Sequence, residues 1–154
     1  LGCGNSDFGE RFHRRCPHIT NTDFSRDVID SMQRRCPAEV YPHMQWLVSD
    51  MLAAGREFAP ESFDVCFDKG SLDAVWSDGC SQWTPAESTI SDVQQIVRGV
   101  LRVLRPGGLF LSISFGQPHF RIKHYTLPDQ PEVKYTLTSR QIGPIYYLYK
   151  FEKH

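Results

Sequence analysis

The chain has 154 residues, of which 40% are apolar and 23% are charged, and its formal net charge is −1. This length is sufficient for one domain with a hydrophobic core, and the composition is ordinary for a globular protein. A net charge near zero disfavours nucleic acid and anionic membranes as partners, because both attract strongly basic proteins, and no apolar run has the length of a bilayer span.

The first half of the chain is predicted to alternate helices and strands. After a glycine turn at the first residues, we expect a helix over residues 6–15 and a short strand that ends at Asp23. Ser25 can cap a helix over residues 26–36, and an apolar strand follows from Met44 to Val48. Alternation of this kind is typical of a parallel sheet covered by helices.

The second half continues this alternation and then changes it. A buried strand is predicted from Phe63 to Phe67, followed by a long loop over residues 71–88, with or without a short helix. The next helix has an apolar stripe, and Arg105–Gly108 ends it before an apolar strand. Two strands around Gly143 follow each other directly and are expected to be antiparallel. The stripe consists of Val93, Ile96, Val97, Val100, Leu101 and Leu104.

Glycine or aspartate marks the carboxyl end of each early strand. Because ligands of open α/β sheets bind outside these ends, we expect Gly2–Gly4, Asp23, Asp50 and Asp68 to converge on one rim. Asp23 follows Gly2 by 21 residues, close to the spacing at which a carboxylate binds a ribose. Asp23 could instead cap the next helix, although Ser25 is better placed for that.

The glycine turn lacks the third glycine of a dinucleotide-binding motif. Asp7 occupies that position, where its charge would repel a pyrophosphate. This disfavours a nicotinamide oxidoreductase and favours a nucleoside without phosphates. An adenosine that carries a positive sulfonium fits a rim of carboxylates.

Four segments resemble the class I S-adenosylmethionine-dependent methyltransferases: "LGCGNS", "DFS", "SDM" and "FDVCFDKGSLDAV". The segments "DKGSLDA", "VLRVLRPGG" and "PHFRIKHY" resemble more narrowly the group that methylates lysines of translation elongation factor 1A. The resemblance implies a Rossmann-like α/β fold in a single domain over residues 1–154. Its mainly parallel seven-stranded sheet would have an antiparallel C-terminal strand and helices on both faces.

The resemblance also implies a cofactor, S-adenosyl-L-methionine, with S-adenosyl-L-homocysteine as its product. The turn Gly2-Cys3-Gly4 would contact the amino-acid part of the cofactor. Asp23 would bind the ribose and Phe24 would lie against the adenine. Asp50 would bond the adenine amino group, with Met51 stacked nearby.

Residues after the fourth strand of the family would face the reacting groups. Asp68 and Lys69 would contact the methionine end of the cofactor, and Asp73 would line the substrate entrance. The expected acceptor is a lysine amine of a protein, and a translation elongation factor is the candidate protein. We predict Asp68 or Asp73 as the catalytic residue that orients this amine, with a loop-capping role for Asp73 as the alternative.

Aromatic residues and histidines after the fourth and fifth strands of the family are further candidates. They could form a slot around a lysine stem, although ordinary packing is the alternative for each, and His119 could accept a proton. The candidates are Trp76, Trp83, Phe115, His119, Phe120, His124 and Tyr125.

The five cysteines are widely spaced and contain no CxxC pair, so we predict no metal site, reduced thiols and a cytoplasmic location.

The family has an apolar strand and an aromatic segment before the first glycine, so we expect the natural protein to continue upstream of Leu1. A catalytically inactive module that binds a partner and a small-molecule methyltransferase remain alternatives. A nucleic-acid substrate is disfavoured because residues 68–71 read Asp-Lys-Gly-Ser instead of Asn-Pro-Pro-aromatic.

Overall fold

The computed structural model describes residues 1–77, 84–127 and 129–154. These residues form two compact units, Leu1–Met51 and Leu52–His154. The single domain expected over residues 1–154 stays a prediction, and each unit has its own secondary structure and core.

The N-terminal unit is a two-stranded parallel sheet with two helices. Its elements are α1 (Phe8–His13), β1 (Ile19–Asp23), α2 (Arg26–Arg35) and β2 (Met44–Val48). The α2 helix begins as predicted, because the Ser25 hydroxyl accepts a hydrogen bond from the Val28 amide at 3.4 Å. The apolar face of α2 packs against β2, and the buried cluster is Ile29, Met32, Cys36, Met44 and Trp46.

The C-terminal unit contains a four-stranded sheet with the order β3-β4-β6-β5. Its strands are β3 (Phe63–Lys69), β4 (Leu104–Ser114), β5 (Tyr135–Ile142) and β6 (Tyr146–Lys153). Its helices are α3 (Ala54–Glu57), α4 (Ser71–Ser77), α5 (Glu87–Val103) and α6 (Pro118–Arg121), and a 3₁₀ turn covers Ile122–His124.

The central strand of this sheet is β4, which pairs in parallel with β3 and antiparallel with β6. The predicted antiparallel pairing of the last two strands is confirmed, because β5 and β6 form a hairpin. The apolar stripe of α5 is buried as expected, with Val93 and Val97 fully inaccessible to solvent. Most strands and helices of this unit lie close to the positions that the sequence predicts.

The predicted helix and strand bounds need two corrections. Leu104, which the prediction counted in the apolar stripe of the helix, is the first residue of β4 and pairs with Phe63, because α5 ends at Val103. α5 begins at Glu87, so its first two residues lie within the predicted loop over residues 71–88. Residues 71–77 form α4, the short helix that the prediction allowed in this loop. The described residues contain six strands, in one sheet of two and one of four, so the number of seven strands stays a prediction.

Candidate functional site

The glycine turn of the N-terminal unit is fixed by main-chain bonds and by one carboxylate. Gly2 and Gly4 have φ angles of +57° and +51°, a region that side chains rarely adopt. The Cys3 amide donates to the Thr22 carbonyl at 2.8 Å, and the Gly4 amide donates to Asp23 Oδ2 at 2.9 Å. The structure therefore brings the predicted glycine turn and the predicted ribose-binding carboxylate together.

Asp23 is 7% exposed and retains acceptor capacity. Its two oxygens offer about four lone-pair positions, of which the amides of Gly4 and Ser25 occupy two. A Cβ atom added to Gly4 would have no atom within 4 Å, so the turn has open space beside it. A vicinal diol, which donates two hydrogen bonds, fits the two free acceptor positions next to a backbone that a ligand can approach.

The predicted adenine contacts lie at the carboxyl ends of β1 and β2. The Ser49 amide donates to the Asp23 carbonyl at 2.9 Å and links the two strand ends. The Phe24 ring is 79% exposed, Asp50 is exposed and Met51 is half-buried. Phe24 thus presents an accessible aromatic face beside Asp23, and the adenine contacts of these three residues stay predictions.

Asp68 in the C-terminal unit is inaccessible to solvent and bonded within the protein. Its Oδ1 accepts the Ser71 and Leu72 amides at 2.9 and 3.3 Å, and its Oδ2 accepts the Ser112 hydroxyl at 2.7 Å. Burial raises the pKa of the Asp68 carboxyl, and these hydrogen bonds partly oppose the shift. The side chain begins α4 and links it to β4, and no part of Asp68 is exposed to a ligand. Lys69, the next residue, is exposed.

Asp73 connects α4 to the end of β4. Its Oδ1 accepts the Ser114 hydroxyl at 2.5 Å, and its Oδ2 accepts the Phe115 amide at 3.0 Å. The Arg121 guanidinium approaches the same carboxylate at 3.8 Å, with 5% of the arginine side chain and 15% of the aspartate side chain exposed. Asp73 therefore fixes the backbone at the carboxyl end of β4.

Arg121 is a buried cation that the sequence analysis did not single out. Its guanidinium lies over the Trp76 ring at 4.4 Å, a cation–π contact. A Cβ atom on Gly116 would collide with Arg121 Nε, so a larger residue there would displace the arginine side chain. The Tyr149 hydroxyl donates to the Gly116 carbonyl at 2.6 Å and so fixes the backbone of Gly116.

Two residues of the predicted aromatic slot belong to the protein interior. Trp76 and Tyr125 are 2% and 0% exposed, so they pack in the core and cannot line an open slot. Burial raises the pKa of Tyr125, and burial together with nearby cations lowers the pKa of His124. His119 is exposed and contacts the Phe120 ring, and Phe115 is 54% exposed. Two further residues, Trp83 and Cys80, lie outside the described residues.

The sequence contained one signal for the missed contacts. Ser112 and Ser114 interrupt an otherwise apolar strand at a spacing of two, which puts both on one face of β4. Buried hydroxyls on one face require polar partners on the neighbouring elements, and those partners are Asp68 and Asp73. Arg121 and Tyr149 carry no comparable signal in the sequence.

In the described part of the chain, no group of three or more His, Cys, Asp or Glu residues is arranged to hold a metal ion. Across the same residues, no helix has the length and apolar character needed to cross a membrane. Cys3, Cys16, Cys36 and Cys66 are free thiols. Burial raises the pKa of Cys3 and of Cys66 to about 11.

Comparison with protein families identifies the larger part of the chain. Residues 1–112 match the family model described as "Methyltransferase domain". The chain is 40% identical over 126 residues to EEF1A lysine methyltransferase 4 of Mus musculus, which covers 81% of this chain and 48% of the relative. It is 39% identical over 120 residues to the eEF1A lysine and N-terminal methyltransferase of Homo sapiens, covering 77% and 16%. The chain thus spans about half the length, or less, of these curated relatives.

Solved structures support the predicted fold class at low sequence identity. The PH0226 protein of Pyrococcus horikoshii matches with a TM-score of 0.68 and 17% identity, covering 100% of this chain and 80% of that one. The N-methyltransferase NodS of Bradyrhizobium japonicum, in complex with S-adenosyl-L-homocysteine, matches with a TM-score of 0.62 and 16% identity, covering 99% and 74%. The predicted Rossmann-like α/β fold is confirmed by these matches.

Proposed function

Because this chain belongs to the methyltransferase domain family, we propose that it transfers a methyl group from S-adenosylmethionine to a lysine amine of a protein. The observation that carries the proposal is the geometry of Asp23. Its carboxylate bonds the glycine turn and keeps two acceptor positions for a ribose diol. The named activity of the curated relatives supports the lysine acceptor.

The residues of the N-terminal unit fit the nucleoside part of this cofactor. The turn Gly2–Gly4 would approach it with bare backbone, and Asp23 would accept the ribose hydroxyls in charge-assisted hydrogen bonds. Phe24, Asp50 and Met51 would contact the adenine. When bound, the cofactor supplies an electrophilic methyl group on a sulfonium.

The protein must also help the acceptor amine lose its proton. From a lysine pKa of about 10.4, deprotonation at pH 7 costs roughly 4.6 kcal/mol. Asp68 is enclosed, and the charge of Asp73 is balanced inside the protein by the Arg121 guanidinium at 3.8 Å, in addition to its bonds with Ser114 and Phe115. We therefore assign to the C-terminal unit the exclusion of water from the amine, which lowers its pKa, and the orientation of the amine for in-line attack. Asp73 acts in this orientation through the backbone that it fixes.

We propose translation elongation factor 1A as the protein acceptor and the cytoplasm as the location. The names of the curated relatives support the acceptor, and elongation on ribosomes takes place in the cytoplasm. The spacing of the cysteines and their free thiols agree with a reducing compartment.

Two measurements test the proposed function. Calorimetric titration of S-adenosylhomocysteine into this chain and into the full-length protein should give micromolar binding. Transfer of labelled methyl groups to purified elongation factor 1A, followed by peptide mass spectrometry, should identify a methylated lysine. Absence of cofactor binding by the folded full-length protein would overturn the enzyme assignment.

A second candidate is a catalytically inactive module that binds a partner. The observation in its favour is that Asp68 and Asp73, the two predicted catalytic carboxylates, both serve structural contacts. Binding of S-adenosylhomocysteine without transfer to elongation factor 1A or to any protein of a cell extract would support this candidate. Transfer to small molecules of a protein-free extract would instead support a small-molecule methyltransferase.

A further inference from the structure

The C-terminal unit has an exposed apolar surface at the tip of the β5–β6 hairpin. It consists of Phe115, Ile145 and Tyr146, and we refer to it as the aromatic ledge. We propose that the aromatic ledge binds the aliphatic stem of the acceptor lysine. This inference rests on the proposed function and names the residues that contact the acceptor.

The geometry of the aromatic ledge is that of a paired contact surface. The rings of Phe115 and Tyr146 have centroids 4.6 Å apart and planes inclined by 35°. Phe115 is 54% exposed and Ile145 is 55% exposed, while Tyr146 is half-buried. Two adjoining rings, with the exposed Ile145 next to Tyr146 in the chain, thus offer apolar surface to solvent.

The register of the sheet puts the aromatic ledge at the edge where the parallel strands β3 and β4 have their carboxyl ends. Ser114, the last residue of β4, pairs with Tyr147 of β6. The hairpin tip therefore lies beside the carboxyl end of β4, and β3 ends at the same edge because it runs parallel to β4. Ligands of open α/β sheets bind outside the carboxyl ends of the parallel strands.

Asp73 fixes the backbone that carries Phe115 of the aromatic ledge. Its carboxylate accepts the Phe115 amide and the Ser114 hydroxyl, and Arg121 lies behind it over Trp76. An aromatic ring on a fixed backbone can position a substrate more accurately than one on a mobile loop. The buried contacts of Asp73 and Arg121 are thereby connected to the exposed residue that meets the acceptor.

The chemistry of the aromatic ledge favours a lysine stem over a charged partner. Its three side chains carry no formal charge, and the carboxylate that accepts the Phe115 amide, that of Asp73, is paired with the Arg121 guanidinium. Such a surface suits the methylene groups of lysine. By excluding water it would also disfavour the ammonium form and so lower the pKa of the amine. A carboxylate aimed at the amine would have the opposite effect on that pKa.

The experiment measures methyl transfer to elongation factor 1A by the full-length protein and its variants. Phe115→Ala and Tyr146→Ala should each raise KM for the protein acceptor about tenfold, with kcat changed much less. Their pH profiles of kcat, which report the ionisation of the bound amine, should move to higher pH. Phe115→Leu, which keeps the apolar bulk, should restore most of the loss, and Val40→Ala, at an exposed apolar residue of the N-terminal unit, should behave as wild type.

Calorimetry with S-adenosylhomocysteine separates the two ways in which the inference can fail. The alanine variants should bind it as tightly as wild type. An active wild-type protein whose Phe115→Ala and Tyr146→Ala variants keep the wild-type KM overturns the aromatic ledge alone. Absence of methyl transfer by a wild-type protein that binds S-adenosylhomocysteine overturns the proposed acceptor, and the aromatic ledge with it.

Discussion

Asp23 in the N-terminal unit and Asp68 in the C-terminal unit each lie at or near the end of a parallel strand and precede a helix, yet their surroundings differ. Asp23 bonds two loop amides, and beside it are open space at Gly4 and the 79% exposed ring of Phe24. Asp68 has no accessible surface, and its three hydrogen bonds join α4 to β4. One carboxylate can still accept a ligand, whereas the other is part of the core.

This difference shows what position along a strand can and cannot predict. The end of a parallel strand gives the edge at which a carboxylate lies. Whether that carboxylate is free for a ligand depends on which donors the neighbouring strand and helix present to it. Substitutions at the two aspartates should therefore have opposite effects, on stability in one case and on binding in the other.

The largest expected effect is on the stability of Asp68→Ala. This change leaves the Ser71 and Leu72 amides and the Ser112 hydroxyl without their acceptor inside the protein. Each buried donor without a partner is costly, so the free energy of unfolding should fall by about 3 kcal/mol or more. Urea denaturation followed by circular dichroism measures it. A loss below about 1 kcal/mol would show that the hydrogen bonds of Asp68 contribute little to the stability of the fold.

Asp23→Ala should show the reverse pattern. The amides of Gly4 and Ser25 are only partly buried, so the loss of stability should be about 1 kcal/mol. The affinity for S-adenosylhomocysteine should fall about 100-fold, because charge-assisted hydrogen bonds to the ribose are lost. Calorimetry measures the affinity, and Asp27→Ala, at an acidic residue of the first turn of α2, serves as the matched control. Wild-type affinity in Asp23→Ala would remove the ribose assignment.

The sequence predicted much of what positions these two aspartates. The strands Ile19–Asp23 and Met44–Val48, the Ser25 cap and the hairpin around Gly143 all lie where local patterns put them. These features depend on residues close in sequence, so the amino-acid pattern is sufficient to predict them. The bond from the Gly4 amide to Asp23 also agrees with the spacing of a ribose-binding motif.

Contacts between distant residues account for what the sequence could not predict. Ser112 and Ser114 are 44 and 41 residues from the carboxylates that they bond, and no local period reports such a pair. The enclosure of Trp76 by Arg121 depends in the same way on a helix 45 positions further along the chain. Exposure of Phe115 and burial of Tyr125 follow from this packing and not from either residue's own neighbourhood.

Gly116→Ala tests whether the packing of Arg121 supports the C-terminal unit. The added Cβ would collide with Arg121 Nε, so the arginine side chain must shift and its contact with Trp76 is disturbed. Overpacking of this kind should lower the free energy of unfolding by about 1–3 kcal/mol. In the full-length protein, KM for the acceptor should rise while the affinity for S-adenosylhomocysteine stays unchanged. Gly107→Ala, at an open site near the start of β4 where the positive φ adds backbone strain, should lower stability without raising KM.

The smallest expected effect is the dependence of stability on pH through Asp68. A carboxyl of the unfolded chain titrates near 3.8, and burial raises the pKa of folded Asp68 above that value. Between the two pKa values the folded state binds more protons than the unfolded state, so the free energy of unfolding falls as pH rises. The contribution is fully present below the unfolded pKa and is lost as pH passes through the folded pKa. Its slope is at most about 1.4 kcal/mol per pH unit.

Asp68→Asn removes this proton and keeps a side chain of the same shape. Its amide oxygen can still accept the amides that begin α4, and the Ser112 hydroxyl can rotate to accept from the new amide nitrogen. Denaturation of both proteins at several pH values above 4 should therefore show a wild-type decline that the variant lacks. Equal slopes would mean that the carboxylate is as well stabilised inside the protein as in water.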